Sequence, residues 1–283
     1  MKIGCIGQGF VGKNMADDFE ARGYEVVRYA LEEEYVDNKD KIKECDVVFV
    51  AVPTPTTPDG SDASHVEEAV GLVGEGKSVV IKSTVVPGTT NRIQRSNPAV
   101  SVFFSPEFLS ERTAAYDAAN PFMNIVGVTK SSDDNSEKAK IILELLPDAP
   151  NEFIVSAEAA EIMKYAHNVN GYQRIVFANL LFDMATKLDA DWSEIAPMMD
   201  ADPALSPYYN TPVHKGGRGA GGNCFVKDMA AFRQRYAELL TSDEKGIALL
   251  KALEAKNLEL LKATEKSQDL VEKTYGSNHS DSN

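Results

Sequence analysis

The chain has 283 residues, 43% of them hydrophobic, which is enough for two globular domains that each bury a core. Its 29 basic and 43 acidic side chains give a net charge of −14, which repels nucleic-acid phosphates and argues against nucleic acid as a partner. The sequence contains no apolar run near the ~18 residues of a membrane span and no signal-type start, so we expect a cytoplasmic protein without a membrane partner.

Short apolar segments alternate with helical patterns over the first half of the chain. Residues 47–52 are an unbroken apolar run, typical of a parallel strand covered on both faces, and Pro53, Thr54 and Pro55 end it. The alternation predicts an α/β fold with a Rossmann-type, doubly wound, mostly parallel sheet in a domain over residues 1–155. The predicted strands cover residues 2–7, 25–29, 47–52, 78–82, 100–104 and 124–128, and the predicted helices cover residues 13–21 and 64–74.

The second half predicts a mainly helical domain over residues 156–275. Its helical patterns cover residues 157–187, 193–199 and 244–272. Residues 203–223 are rich in Gly, Pro, Tyr and Asn, so we expect a long functional loop there. Residues 276–283 are small and polar, which predicts a disordered tail.

A glycine motif lies between the first predicted strand and the first predicted helix. In this context the first glycine allows a tight turn, the second lets the backbone approach a pyrophosphate, and the helix N-terminus attracts its charge. A glycine turn without a ligand is the alternative, and the matching alternation of strands and helices favours a dinucleotide site. The predicted cofactor residues of this turn are Gly7, Gln8, Gly9, Phe10, Val11 and Gly12.

The second predicted strand lacks the acidic residue that commonly binds the NAD ribose about 20 residues after the glycines. It ends in Arg28, Tyr29 and Ala30 instead. Two alternatives stay open: Glu32 or Glu33 reaches the ribose from the following turn, or Arg28 accommodates the 2′-phosphate of NADP. We expect NAD as the cofactor, with NADP as the alternative.

The three cysteines, Cys5, Cys45 and Cys224, are too few and too widely spaced for a disulfide framework or a zinc cluster, so we expect no metal. Cys5 lies inside a predicted strand and Cys45 precedes another, which favours two packed small hydrophobes. Cys224 follows two glycines that let a ligand approach the backbone, and Asp228 lies four residues beyond the thiol. This context favours a nucleophile over a packed side chain.

Two pairs of polar residues are spaced by four. Lys164 and Asn168 share one face of a predicted helix, and Glu107 and Glu111 follow the strand that ends at residue 104. Taken singly, each of these side chains is most simply a solvated surface residue. Their occurrence together favours a polar site.

In chain order, these segments resemble the UDP-glucose/GDP-mannose dehydrogenase family. The resemblance covers nearly the whole chain and implies a Rossmann-type domain followed by a helical substrate domain. The segments that carry it are GQGFVG (7–12), VAVPTPTTPDGSD (50–62), KSTVVPGTT (82–90), SPEFLSE (105–111), AAEIMKYAHN (159–168) and GGNCFVKD (221–228).

The resemblance implies NAD-dependent, four-electron oxidation of a nucleotide sugar at its C6 alcohol, most simply UDP-glucose, to the uronate. Cys224 would capture the aldehyde as a thiohemiacetal and then carry a thioester that water hydrolyses. The implied catalytic residues are Cys224, Lys164, Asn168, Asp228, Glu107, Glu111 and Thr84. Further cofactor contacts are implied for Pro53, Thr54, Ser83 and Thr84, and substrate contacts for Phe108, Leu109, Glu111, Lys164, Asn168, Tyr209, Asn210 and Gly221.

Three features depart from the family pattern. An arginine that the family usually carries before the tyrosine-rich loop is replaced in residues 202–205, and the loop is longer by a few residues that include His214 and Lys215. The sequence also stops where the family passes from a long central helix, here roughly 245–273, into a third domain, so we expect a short form without that domain. Family dimerisation through the central helix implies a homodimer.

Two other functions compete with this interpretation. Short β-hydroxyacid dehydrogenases also combine a Rossmann domain with a helical domain bearing lysine and asparagine, but they need no cysteine. A non-catalytic dinucleotide-binding protein would explain the missing ribose acid. The joint presence of the implied catalytic residues favours the four-electron enzyme.

Overall fold

The structure is a computed structural model that describes residues 1–129, 133–205 and 208–276. Its strands are β1 (Lys2–Ile6), β2 (Glu25–Tyr29), β3 (Val47–Val50), β4 (Thr56–Thr57), β5 (Gly60–Ser61), β6 (Ser78–Ile81), β7 (Ser101–Phe104), β8 (Asn124–Val128), β9 (Glu152–Ser156), β10 (Val213–His214) and β11 (Gly217–Arg218). Its α-helices are α1 (Phe10–Ala21), α2 (Ser64–Val70), α3 (Thr89–Ser96), α4 (Ala114–Ala119), α5 (Asp133–Leu145), α6 (Ala157–Lys187), α7 (Trp192–Ala201), α8 (Gly222–Leu239), α9 (Glu244–Ala263) and α10 (Gln268–Tyr275).

The chain divides into two compact units. The first comprises Met1–Thr54 and Asp62–Lys164, and the second comprises Pro55–Ser61 and the chain from Tyr165 onward. The division falls inside α6, between Lys164 and Tyr165. Within the described ranges, no helix is both long enough and apolar enough to cross a membrane.

The first unit is built on one sheet with the strand order β2-β1-β3-β6-β7-β8-β9. Every neighbouring pair is parallel except β7 and β8, which are antiparallel. The predicted mostly parallel, doubly wound α/β sheet is therefore confirmed. Strand β9 and helices α3, α4 and α5 were not predicted.

The sequence of strand β3 is apolar without interruption because both faces of the strand are buried. Val48 and Val50 belong to one buried cluster, whereas Val47 and Phe49 belong to the other. Alternate residues of a strand point to opposite faces, so both faces of β3 are covered. In such sheets ligands bind beyond the carboxyl ends of the strands, so the segment after β3 lies at the expected ligand-binding edge.

Two helix boundaries in the first unit differ from the predicted ones. Helix α1 begins at Phe10, directly after Gly9, instead of at residue 13. Helix α2 ends at Val70 instead of residue 74, and Gly71 is its C-cap. The first difference places the glycine turn at the N-terminus of α1.

The second unit is helical, as predicted. The described part of the predicted loop 203–223 is irregular except for the short hairpin of β10 and β11 and the start of α8 at Gly222; residues 206 and 207 lie outside the described residues. Helix α8, which was not predicted, contains both Cys224 and Asp228.

The predicted helical stretch 244–272, like the central helix assigned to roughly 245–273, is wrong as a continuous helix. Helix α9 ends at Ala263 and α10 begins at Gln268. Between them Glu265 and Ser267 adopt left-handed backbone conformations, with φ of 53° and 55°, which end the helical path. Of the predicted disordered tail 276–283, residues 277–283 lie outside the described residues.

Candidate functional site

In the first unit, the glycine turn has the geometry of a phosphate-binding turn. Gly7 has φ of 89°, and a Cβ there would lie 2.2 Å from the Ala51 carbonyl oxygen. A Cβ on Gly12 would lie 1.9 Å from the Gly7 carbonyl oxygen, so both positions require glycine. A Cβ on Gly9, by contrast, would meet no heavy atom within 4 Å among the described residues.

The N-terminus of α1 fits a dinucleotide pyrophosphate. Gly9 is the N-cap, no side chain caps it, and the first turn carries no acidic residue. The main-chain N–H groups and the helix dipole therefore favour an anion beside Gly9. Gln8 points elsewhere, because its side-chain amide donates to the Cys5 and Gly7 carbonyl oxygens.

The positive charge of Arg28 is already compensated by two carboxylates. Its Nη2 lies 2.6 Å from Asp17 Oδ1 and 2.8 Å from Glu20 Oε2, and its Nη1 donates to Gln8 Oε1 at 3.3 Å. The hydrogen bond with Glu20 raises the pKa of Arg28 above its ordinary value. Glu32 and Glu33 are exposed on the turn after β2. These contacts favour NAD over NADP.

We expect NAD to bind about tenfold or more tightly than NADP, because a 2′-phosphate brought to Arg28 would also face the carboxylates of Asp17 and Glu20. Calorimetric titration with the two dinucleotides measures the ratio. The double variant Asp17→Asn, Glu20→Gln removes the two carboxylates that pair with the guanidinium, and it should reduce the ratio of the NAD affinity to the NADP affinity. Equal affinities in the unchanged protein would refute the preference.

The loops after β3 and β6 are hydrogen-bonded to each other. Ser83 Oγ accepts from Val52 N at 2.9 Å and donates to the Val52 carbonyl oxygen at 2.7 Å. Thr54 Oγ1 donates to the Thr84 carbonyl oxygen at 2.8 Å. The hydroxyls of Thr54 and Ser83 thus fix the two loops, which carry Pro53 and Thr84 at the carboxyl edge of the sheet.

Glu107 lies between two lysines. Lys82 Nζ is 2.5 Å from Glu107 Oε1 and donates to Ser105 Oγ at 3.0 Å, and its side chain is 2% exposed. Lys164 Nζ donates to the Glu107 carbonyl oxygen at 2.5 Å and lies 5.4 Å from the centre of the Phe108 ring. The structure therefore brings together two predicted catalytic residues. Sequence analysis missed Lys82, although a lysine that ends a buried apolar strand is a signal in itself.

Leu109 and Glu111 lie on the irregular segment and turn that follow Glu107. Glu111 is exposed in the turn before α4, and Leu109 is half-buried. The four-residue spacing of Glu107 and Glu111 does not put them on a helix, because residues 105–110 are irregular.

Glu161 is a second residue that sequence analysis missed. Its carboxylate is fully buried one turn before Lys164 and accepts from Gly88 N at 2.6 Å, Thr90 N at 2.8 Å and Thr90 Oγ1 at 2.6 Å. It therefore caps the N-terminus of α3 and fixes the start of α6 to the segment that follows Thr84. Burial raises the pKa of Glu161, and the three hydrogen bonds oppose that rise.

We expect the contribution of Glu161 to stability to fall as pH rises. Its folded pKa lies above the ordinary value of 4.5, so the native state holds the proton more tightly than the unfolded chain. The stability of the unchanged protein relative to Glu161→Gln should therefore be greatest below pH 4.5 and decline through the raised pKa. Urea unfolding of both proteins across this range measures the difference, and a difference that grows with pH would contradict the expectation.

In the second unit, Asp228 is held on both oxygens. Asn168 Nδ2 donates to Asp228 Oδ2 at 2.5 Å, and Lys227 Nζ donates to Oδ1 at 2.5 Å. The carboxylate is 1% exposed and Asn168 is 6% exposed. The pairing of Asn168 with Asp228 joins α6 to α8 and keeps a buried negative charge compensated.

Cys224 is exposed in the first turn of α8, whereas Cys5 and Cys45 are buried thiols. Burial raises the pKa of Cys45 to about 11 and also raises that of Cys5. A thiolate at Cys224 would instead lie at the positive end of a helix dipole. The expectation that Cys5 and Cys45 are packed is confirmed, and Cys224 is the exposed cysteine.

The predicted substrate residues of the second unit form part of its loop structure. Tyr209 has φ of 70° and meets the Phe225 ring edge-on at 5.5 Å between ring centres. Burial and then the neighbouring Cys224 raise the pKa of Tyr209. Asn210 is 7% exposed, and its Oδ1 accepts from Arg174 at 3.2 Å. Tyr209 thus lies beside the candidate nucleophile.

Two family models match the chain. The model described as the NAD binding domain of the UDP-glucose/GDP-mannose dehydrogenase family matches residues 33–145, and that of its central domain matches residues 158–258. The glycine turn lies before the first match, and Cys224 and Asp228 lie within the second.

Individual relatives agree with these matches. The chain is 31% identical over 208 residues to the putative UDP-glucose 6-dehydrogenase YtcA of Bacillus subtilis, covering 69% of this chain and 47% of the relative. It is 29% identical over 294 residues to GDP-mannose 6-dehydrogenase of Pseudomonas aeruginosa, covering 84% and 65%. A solved UDP-glucose dehydrogenase from Pyrobaculum islandicum matches with a TM-score of 0.77 and 28% identity, covering 91% of this chain and 68% of that one. The chain spans less than two thirds of these curated relatives.

Proposed function

This chain belongs to the UDP-glucose/GDP-mannose dehydrogenase family, and on that premise we propose that it oxidises the C6 alcohol of a nucleotide sugar to a uronate. UDP-glucose is the first candidate substrate, and two NAD are reduced for each sugar. The observation that carries the proposal is Cys224, an exposed thiol at the N-terminus of α8, with Asp228 one turn further along the helix.

The proposed reaction balances as two oxidations and one hydrolysis. When bound, NAD accepts a hydride from the sugar carbon in each oxidation, and each step releases one proton. Between the two oxidations the Cys224 thiolate adds to the aldehyde carbon and the oxygen takes up a proton, giving a thiohemiacetal. Its oxidation gives a thioester, and water then releases the carboxylate and restores the thiol.

For the remaining residues we propose the roles that the family resemblance implies. Lys164 and Asn168, one turn apart on α6, stabilise negative charge on the sugar oxygen, together with a water held by Thr84. Lys164 also moves the proton of the alcohol. Glu107 and Glu111 orient and activate the hydrolytic water, and Asp228 holds Asn168 in place. The substrate contacts of Phe108, Leu109, Tyr209, Asn210 and Gly221 complete the proposal.

The experiment that tests this function incubates the protein with NAD and a panel of UDP-sugars and GDP-sugars. Absorbance of reduced nicotinamide is recorded, and the sugar product is assayed for a carboxylate. Two NADH per sugar are expected. One NADH per substrate would instead favour the β-hydroxyacid dehydrogenase. If the protein binds NAD but forms no NADH with any sugar of the panel, a dinucleotide-binding protein is favoured.

We also propose that the chain forms a homodimer, with α6 as the contacting helix. Phe177, Leu180 and Met184 are exposed by 55%, 45% and 60%, and their spacing of three and four residues puts them on one face of α6. The interrupted helix pair α9 and α10 offers no continuous helix of that length. Sedimentation equilibrium of the unchanged protein and of Leu180→Glu, which should shift toward monomer, measures the association.

A further inference from the structure

The backbone that leads into α8 is held by side chains from α9 and from the four residues after it. Asn257 Oδ1 accepts from Ala220 N at 2.6 Å, and its Nδ2 donates to the Ala220 carbonyl oxygen at 3.0 Å. Lys266 Nζ donates to the Gly219 carbonyl oxygen at 2.8 Å. Ser267 Oγ accepts from Gly222 N at 3.1 Å. Backbone N–H and carbonyl groups of the segment before Cys224 are thus hydrogen-bonded by side chains of residues 257–267.

Residues 264–267, which we call the 264–267 turn, have the shape that these contacts require. Glu265 and Ser267 adopt left-handed conformations, which are uncommon for residues other than glycine. A Cβ on Gly221 would lie 2.6 Å from Ser267 Oγ, so the turn is packed directly against the glycines. Gly221, predicted to contact substrate, therefore contacts this turn.

Helix α10 anchors the turn from its other end. Tyr275 is buried with Val226 and Ala230 of α8, and its hydroxyl donates to Glu254 Oε1 of α9 at 2.9 Å. Burial lowers the pKa of Lys266, and the neighbouring Lys215 lowers it further. The turn and α10 lie after residue 258, where the match to the family's central domain ends.

We propose that the 264–267 turn is a positioning element for Cys224. Lys266 and Ser267 fix the carbonyl and N–H groups from which α8 starts, and thereby hold the first turn of the helix where its N–H groups stabilise a thiolate. The proposal rests on the proposed function only in taking Cys224 as the nucleophile.

Alkylation of Cys224 by iodoacetamide tests the proposal without any substrate. Cys5 and Cys45 are buried, and the Cys224→Ser variant measures the background alkylation of these two thiols. Ser267→Ala removes the acceptor without changing charge, and Lys266→Met removes the donor. Lys273→Met, an exposed lysine in the last turn of α10, is the matched control.

We expect Ser267→Ala to slow alkylation near neutral pH about fivefold, the equilibrium factor of one ordinary hydrogen bond. The pH midpoint of alkylation should move upward, and Lys266→Met should move it at least as far. Lys273→Met should leave the profile unchanged. If Ser267→Ala does not fold, Ser267→Gly, which accepts the positive φ, replaces it.

Identical pH profiles in both turn variants and the control would overturn the proposal. The result is separable from the proposed function. If the pH profile shifts in a protein that oxidises no nucleotide sugar, the positioning role of the turn is supported and the proposed enzymatic function is refuted. If sugars are oxidised, Ser267→Ala should lower kcat with little change in the KM for NAD, because the glycine turn lies in the first unit.

Discussion

Replacing Cys224 by serine is expected to stop carboxylate formation and to leave at most one NADH per nucleotide sugar. The first oxidation needs no covalent bond to the protein, but the second needs a nucleophile that holds the aldehyde carbon. A serine hydroxyl is far less acidic than a cysteine thiol, so it supplies far less of the anionic nucleophile at neutral pH. The second NADH should therefore be missing over the time in which the unchanged protein releases both.

The measurement is the number of NADH released per sugar over the time in which the unchanged protein completes the reaction, with the sugar product assayed separately. Cys45→Ala is the matched control, because that thiol is buried in the first unit and should keep both NADH. Release of two NADH by Cys224→Ser would remove the thioester from the mechanism. One NADH in the unchanged protein as well would identify a two-electron enzyme.

The fold was predictable where the local sequence and the tertiary environment agree. Residues 47–50 are apolar on both faces of β3 because helices cover both sides, so the apolar run alone indicates a parallel strand. Residues 264–267 show the opposite case. Their helical composition predicts a helix, but contacts with residues 218–222, distant in sequence, select left-handed conformations.

For the candidate site, sequence spacing gives a set of candidate residues but not the partners that the fold provides for them. Spacing puts Lys164 and Asn168 on one helix face, but it does not show that Asn168 binds Asp228, 60 residues away. Lys82 and Glu161 were missed for the same reason. Each is a buried charged residue whose partners, Glu107 and the N-terminus of α3, are set by the fold.

Exchanging Gly12 or Gly9 for alanine should separate the folding role of the glycine turn from its binding role. In Gly12→Ala the new Cβ would lie 1.9 Å from the Gly7 carbonyl oxygen, so the turn must move, at a cost of about 3 kcal/mol of stability. In Gly9→Ala the new Cβ meets no described heavy atom within 4 Å, and φ of −74° with ψ of −164° suits alanine.

We therefore expect Gly9→Ala to unfold within about 0.5 kcal/mol of the unchanged protein. Its NAD affinity should nevertheless fall by about tenfold or more, because the methyl group occupies the space through which the pyrophosphate approaches the backbone. Urea unfolding without ligand and calorimetric titration with NAD measure the two quantities. Unchanged NAD affinity in Gly9→Ala would show that the dinucleotide does not use the N-terminus of α1. Such a result would leave Cys224 without the hydride acceptor that the proposed reaction requires at this turn.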